Sequence, residues 1–296
     1  MEIRRVKVPT AIVWAAPTKA KVAQAYFNAP DIATWLAQLS VTDQAALADQ
    51  NTMVTQALLN DRVILDQVQG DWAHVFVKRQ ATRLERRGYP GWLPVRQLTA
   101  RDQELDYPTT TVRLVQAETP LLDDQGQVEL TLPLGTVLTT TGQDAQHIQV
   151  LTPLGSGKIS AQAARLTLGG VDDGDRLLAL GREFLGTPYL WGGITPQGFD
   201  CSGLVYALHR ALDYAIPRDA QDQFTSGYPI APEALAPGDL VFFAHDHGTG
   251  AIHHVGIYAG KGQMLHAPKP GETVTLTSLA QAPYAAEYAG GRRFWQ

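Results

Sequence analysis

The chain carries one cysteine, Cys201, in the run F-D-C-S-G-L-V-Y-A-L (199–208). Leu204, Val205, Leu208 and Leu212 recur at helical spacing, which places Cys201 at or beside a helix N-terminus. Free N–H groups and the helix dipole there stabilise a thiolate, so the expectation is a lowered thiol pKa. The alternative is an inert, buried small hydrophobe. A cysteine nucleophile needs an imidazole to take its proton and a further group to orient that imidazole. Of eight histidines, four cluster at His245, His247, His253 and His254, and a fifth is His266. His253 and His254 open a strand-like run and face opposite sides of it, so only one can meet the thiol. Strand logic alone does not choose between them. His266 ends the next strand-like run, Q-M-L-H (263–266), consistent with a neighbouring antiparallel strand.

Two other chemistries compete on motif grounds. His245-Asp246-His247 with His253 or His254 is a candidate zinc cluster. Yet the intervening Gly248-Thr249-Gly250 is flexible and no H-E-x-x-H spacing exists, so exposed loop histidines are the preferred reading and no metal is expected. Gly155-Ser156-Gly157-Lys158 lacks the spacing of a phosphate loop, because Ile159 follows the lysine. No cofactor is implied.

The elements that must position these groups fall into three pieces. With 296 residues, 45% apolar and 18% charged, the chain reads as globular and multidomain. Lys plus Arg is 24 against 29 Asp plus Glu, a net charge of −5; without a basic block, nucleic acid is a poor partner. No apolar run approaches the roughly 18 residues of a membrane helix. The opening M-E-I-R-R-V-K-V leads into only a short apolar stretch, A-I-V-W-A-A (11–16), which reads as a first β-strand rather than a secretory signal. A cytoplasmic location is the expectation, compatible with a free thiol.

Residues 1–104 combine short helices with strands. Asp31–Leu39 has apolar positions at i, i+3, i+4 and i+7, and Thr42 is a candidate cap for a second helix. Arg62–Asp66 and Trp72–Val77 are strand-like around a Gly70-Asp71 turn, and Gly88–Trp92 reads as a Pro/Gly turn with two aromatics. In residues 105–170 the pattern recurs. V-I-L (63–65) reappears as V-L (137–138), and A-H-V-F-V (73–77) as Q-H-I-Q-V (146–150), an offset of about 73 residues that suggests tandem small β-barrels. Residues 171–296 begin with a helix, Asp173–Leu185. The strands L-V-F-F (240–243), H-V-G-I-Y (254–258) and Q-M-L-H follow, an order that points to an α+β fold with an antiparallel sheet.

The motifs G-T-P-Y-L-W-G-G (186–193), F-D-C-S-G (199–203), P-G-D-L-V-F-F (237–243), H-V-G-I-Y and the later His266 resemble the NlpC-type cysteine peptidases of bacterial cell-wall metabolism. The resemblance implies a papain-like catalytic domain, with a helix-borne cysteine packed on an antiparallel sheet. It selects His254 as the base, gives His266 the orienting role and matches Tyr189 to an oxyanion-stabilising tyrosine. Two bacterial SH3-like barrels before such a domain resemble the YkfC-like γ-D-glutamyl-L-diamino-acid endopeptidases, which act on murein peptides with a free N-terminal L-Ala. In that subgroup the first barrel leans over the active site. The resemblance places the holders of the substrate amine at Asp61 (in L-L-N-D-R-V), Tyr89 (in G-Y-P-G-W) and Asp200. Ser202 matches a holder of the D-Glu carboxylate.

The chain departs from the family twice. Asp61, a shorter acid, stands where Glu is expected. In Pro217-Arg218-Asp219-Ala220, Ala220 replaces a serine, leaving the backbone N–H groups of Asp219 and Ala220 to serve the carboxylate. The function implied is hydrolysis of the γ-D-glutamyl-diamino-acid bond in murein-peptide recycling. A non-catalytic wall-binding protein, and an amidase or acyltransferase on the same fold, are the alternatives.

Overall fold

The computed structural model describes residues 2–17, 25–26, 31–50, 52–100, 110–166 and 173–295. The chain divides into two compact units, Met1–Thr167 and Leu168–Gln296.

The first unit opens with β1 (Glu2–Arg5) and β2 (Thr10–Trp14), so the expected first strand is the second. Helices α1 (Ile32–Ala37) and α2 (Val41–Asp49) follow, then β3 (Met53–Leu58), β4 (Arg62–Gln69), β5 (Trp72–Val77) and β6 (Tyr89–Pro94). Asp31 caps α1 by accepting from Thr34 N. The cap of α2 is Ser40 rather than Thr42. Ser40 and Asp43 exchange side-chain-to-backbone bonds, a reciprocal box that satisfies two orphan donors at once.

The six strands form an antiparallel sheet in the order β1-β4-β5-β6-β2-β3. Gly88–Trp92, read as a turn, instead delivers the chain into β6. Gly88 holds φ +132, and a Cβ there would lie 2.4 Å from Val77 O. Pro90 is tolerated because β6 pairs along β5 but meets β2 only through Trp92 opposite Trp14. Ala11, Val13, Val63, Val75, Val77 and Leu93 fill the core of this sheet.

The same wiring then repeats. Strands β7 (Thr111–Leu114), β8 (Glu118–Leu122), β9 (Val128–Pro133), β10 (Val137–Gln143), β11 (His147–Thr152), β12 (Gly155–Ser160) and β13 (Ala164–Arg165) take the order β13-β7-β10-β11-β12-β8-β9. Each step of the first sheet has its counterpart, and the faint V-I-L and H-V-F-V echoes fall on equivalent hairpins, β4-β5 and β10-β11. Even the short 3-10 turn after the sixth strand of each repeat, β6 and β12, recurs, at Val95–Gln97 and Ala161–Ala163. Leu59, from the turn joining β3 to β4, is buried in the core of the second sheet, and Asn60 Nδ2 donates to Val137 O at 3.0 Å. The two small β-domains are therefore stitched together within one unit.

The second unit holds α3 (Asp173–Arg182), the small hairpin β14 (Ile194–Thr195) with β15 (Gly198–Phe199), α4 (Cys201–Ala211), α5 (Ala220–Ser226) and β16 (Tyr228–Ile230). After these come β17 (Leu240–Ala244), β18 (Ile252–Gly260), β19 (Gln263–His266), β20 (Thr275–Ser278), the short helix α6 (Tyr284–Glu287) and β21 (Tyr288–Arg293). Its sheet runs β16-β21-β17-β18-β19-β20, all antiparallel. All five residues of β17 are buried, as expected of an apolar run covered on both faces.

The P-G-D motif fixes β17. Asp239 accepts both fork nitrogens of Arg293, at 2.6 and 2.7 Å, and also Ala236 N. Gly238, at φ +93, packs so tightly on Gly174 that a Cβ would lie 2.3 Å from its Cα. The unit is thus an α+β domain with a helix-borne cysteine over an antiparallel sheet, as the sequence predicts.

Candidate active site

Cys201 is the first residue of α4, and Asp200 is its N-cap. The cap does more than start the helix. Asp200 Oδ1 accepts from Gly203 N at 2.6 Å and Oδ2 from Gly192 N at 2.8 Å. Arg218, itself 1% exposed, grips both oxygens at 3.1 and 2.6 Å. Ser202 Oγ donates to Asp200 and accepts from Arg218 at 2.9 Å. The motif glycines permit this closeness: a Cβ on Gly203 would lie 1.9 Å from Gly193 O. The W-G-G loop and the C-S-G turn are therefore clamped together around one buried ion pair.

This arrangement gives Asp200 and Ser202 a structural role of their own. The resemblance assigns both to the substrate. In the structure the charge of Asp200 is already compensated by Arg218, so Asp200 is not an open anion, and Ser202 joins the same cluster. The sequence reading gave Arg218 no role. Its partners lie 16 and 18 residues away, beyond any local periodicity.

On the facing strand β18, His254 is buried and its neighbour His253 is half-exposed, 3.2 Å from Glu287. Burial makes the choice that strand alternation left open. His254 Nε2 lies 2.8 Å from His266 Nδ1, and His266 Nε2 lies 2.9 Å from Thr277 Oγ1. Since Nε2 of His254 is engaged, Nδ1 is the nitrogen left for the thiol. The Cys201 sulfur is hydrogen-bonded by the backbone N–H groups of Val255 and Ser202, which sets it against β18 beside His254. Gly256 is required on the same face, because a Cβ there would lie 2.7 Å from Met264 Sδ and 3.3 Å from His266 Cβ. Tyr284 of α6 closes the pair from outside, with its ring 5.8 Å from that of His254 and 5.3 Å from that of His266. Neither Thr277 nor Tyr284 carried a sequence signal.

The expected lowering of the thiol pKa is overturned. Cys201 keeps some exposure, yet burial of its sulfur, reinforced by the negative charge of Asp200, pushes the thiol up to about 12. The two N–H groups and Arg218 pull the other way and are outweighed. Burial also pushes His254 down to about 3, with the neighbouring histidines adding to the effect, and His266 down to about 4. Both shifts favour a neutral thiol and a neutral imidazole. Burial raises Tyr189 as well, aided by the charges of Cys201 and Asp200, so its hydroxyl stays protonated and able to donate near the sulfur.

Asp219 caps α5 without a side-chain capping bond, and Ala220 is the first residue of that helix. Among the described residues no group of three or more His, Cys, Asp or Glu is placed to hold a metal; His245 instead stacks on His253, with ring centroids 4.3 Å apart. Asp61 and Tyr89 belong to the other unit. Asp61 is buried in the β3–β4 turn, where Oδ2 accepts from Leu58 N at 2.9 Å and Oδ1 lies 3.9 Å from Arg79 Nε. It is not a solvated turn residue. Tyr89 is 7% exposed and forms part of the core of the first sheet.

The neutral histidines give a signed pH prediction. Their folded pKa values lie below the ordinary 6.5, so the stability they support is present above pH 6.5 and lost as pH falls towards 3 to 4. His209, buried in α4 and pushed down to about 4, adds to this. At about pH 5 each histidine is expected to contribute roughly 2 kcal/mol less than at neutral pH. Denaturant unfolding of the second unit at the two pH values checks this; equal midpoints would contradict it.

A helix-borne cysteine set against the strand of a hydrogen-bonded histidine pair, on a papain-like sheet, defines a cysteine peptidase. Residues 186–293 match the NlpC/P60 family. The chain is 35% identical to the gamma-D-glutamyl-L-lysine dipeptidyl-peptidase of Bacillus subtilis, over 95% of each chain, and 33% identical to the protein of the same name in Bacillus cereus, over 98% of this chain and 90% of that one. A crystal structure of an NlpC/P60 family protein from Bacillus cereus superposes with a TM-score of 0.91 at 31% identity, covering 99% of this chain and all of the other. The chain belongs to the NlpC/P60 family.

Proposed function

We propose that this peptidase hydrolyses the bond between γ-D-glutamate and an L-diamino acid in short murein peptides with a free N-terminal L-Ala. The observation that carries the reading is the hydrogen bond between His254 on β18 and His266 on β19, with the Cys201 sulfur set against β18 at Val255. The names of the full-length relatives support the bond. In this mechanism the thiol proton passes to His254 Nδ1 as sulfur attacks the γ-carbonyl, so that charge is created only with substrate present. The Tyr189 hydroxyl and the Cys201 backbone N–H stabilise the oxyanion. His254 then gives its proton to the leaving amine. Water, activated by the same imidazole, opens the thioester. The N–H groups of Asp219 and Ala220, at the start of α5, serve the D-Glu carboxylate, alongside the cluster that contains Ser202.

Asp61 and Tyr89 are proposed to hold the substrate amine, because a desolvated ammonium needs a carboxylate partner. A reducing cytoplasm suits a single cysteine kept as a free nucleophile, and the cytoplasmic location belongs to the same proposal. The test is mass spectrometry of L-Ala-γ-D-Glu-L-Lys and its N-acetylated form, incubated with the wild type and with Asp61→Asn, which still accepts from Leu58 N. Release of L-Ala-D-Glu is expected, with kcat/KM lower by about tenfold or more for either change, about 1.4 kcal/mol. Equal cleavage of both peptides would remove the amine-binding role. No cleavage of either would remove the proposed substrate.

A further inference from the structure

The histidine pair imposes a chain of proton requirements that ends on a residue outside it. His254 can act as a base at Nδ1 only if that nitrogen is bare, so its ring proton must sit on Nε2. That N–H then donates to His266 Nδ1 across 2.8 Å. Nδ1 of His266 can accept only if its own proton sits on Nε2. This second N–H lies 2.9 Å from Thr277 Oγ1. If the chain ran in reverse, with the threonine hydroxyl donating, His254 would present an N–H to the thiol and could accept nothing.

We propose that Thr277 is a positioning residue that fixes the tautomers of both histidines in the base-competent state. The proposal rests on the cysteine-peptidase reading of the same site. Strand pairing builds the contact. On β19 and β20, Thr275 lies opposite His266 and Thr277 opposite Met264. Directly opposed residues share a face, so Thr277 stands on the face of His266, one pair along. His266 is 1% exposed, so an Nε2–H without an acceptor would carry the cost of a buried, unmade hydrogen bond. Burial keeps both rings neutral, which makes the tautomer rather than the charge the variable that Thr277 controls. Tyr284 packs on both rings but leaves the Nε2–Oγ1 contact to threonine.

The experiment compares wild type, Thr277→Val and Thr277→Ser. Valine keeps the shape and removes the hydroxyl; serine keeps the hydroxyl and removes the methyl. Three readouts are taken: kcat and KM on L-Ala-γ-D-Glu-L-Lys, the pH profile of Cys201 alkylation by iodoacetamide, and the 15N shifts of the His254 and His266 rings. The valine variant is expected to lose about tenfold in kcat, about 1.4 kcal/mol, with KM little changed. Its alkylation profile is expected to shift and its His266 Nε2 to lose proton occupancy, while serine restores all three. Should valine not fold, Thr277→Ala is read in its place with the same expectation. Unchanged tautomers and kcat in the hydroxyl-free variant, or equal losses in valine and serine, would overturn the role of Thr277. If the wild type fails to cleave the peptide, the function proposed above fails, and the nitrogen shifts and alkylation profile still decide the role of Thr277.

Discussion

Cys201→Ala is expected to abolish cleavage of the γ-glutamyl bond, lowering kcat by about 10⁴-fold or more, because nucleophile and base act as a unit and neither substitutes for the other. His254→Ala is expected to fall by about 10³-fold, within the usual range for a general base. The argument lies in the resting state. With the thiol pushed up and His254 pushed down by burial, both shifts favour the neutral pair before substrate arrives. Sulfur becomes nucleophilic only as its proton moves to His254, so removing the imidazole removes the nucleophile too. Steady-state kinetics with a mass-spectrometric readout measures both variants. In parallel, iodoacetamide alkylation of Cys201 in the free enzyme is expected to keep rising with pH through neutrality. A plateau reached near pH 4 would instead reveal a preformed thiolate–imidazolium pair and contradict the neutral resting state.

The second large effect concerns folding around the nucleophile. Arg218→Met is expected to destabilise the second unit by about 3–5 kcal/mol, since it strands the buried Asp200 carboxylate without its cation. The bidentate contact, at 2.6 and 3.1 Å, is with a side chain only 1% exposed, so solvent does not soften the loss. The same change is expected to slow Cys201 alkylation, because Asp200 raises the thiol pKa and Arg218 opposes it. Adding Asp200→Asn removes the stranded charge while leaving an oxygen for the helix cap, so the double variant is expected to recover much of the stability. A loss under about 1 kcal/mol in the single variant, within the range of a surface pair, would contradict the clamp.

These expectations also show which features local sequence can and cannot carry. The strands holding His254 and His266, and the helix begun by Cys201, are legible because their apolar periodicity is local and the caps lie within three residues. The choice of His254 over His253 is not, since alternation places the two on opposite faces without saying which face is inside. Gly88–Trp92 misleads because glycine and proline mark turns in general, whereas here Gly88 permits a close backbone approach and Pro90 occupies a lightly paired strand. The thiol pKa fails for a physical reason. The helix N-terminus does stabilise a thiolate, but the residue that caps the helix is itself an anion, and the sulfur is buried. Arg218, Thr277 and Tyr284 come from elements brought together only by the sheet and its helices, so no spacing rule finds them.

The central claim is that Cys201 attacks the γ-glutamyl carbonyl and carries the acyl group. Rapid quench of the enzyme with L-Ala-γ-D-Glu-L-Lys, followed by intact-protein and peptide mass spectrometry, tests it directly. The account predicts a transient adduct equal to L-Ala-D-Glu less one water, mapped to the peptide containing Cys201 and absent from Cys201→Ala. Turnover at the wild-type rate in Cys201→Ala, or an adduct on another residue, would contradict it.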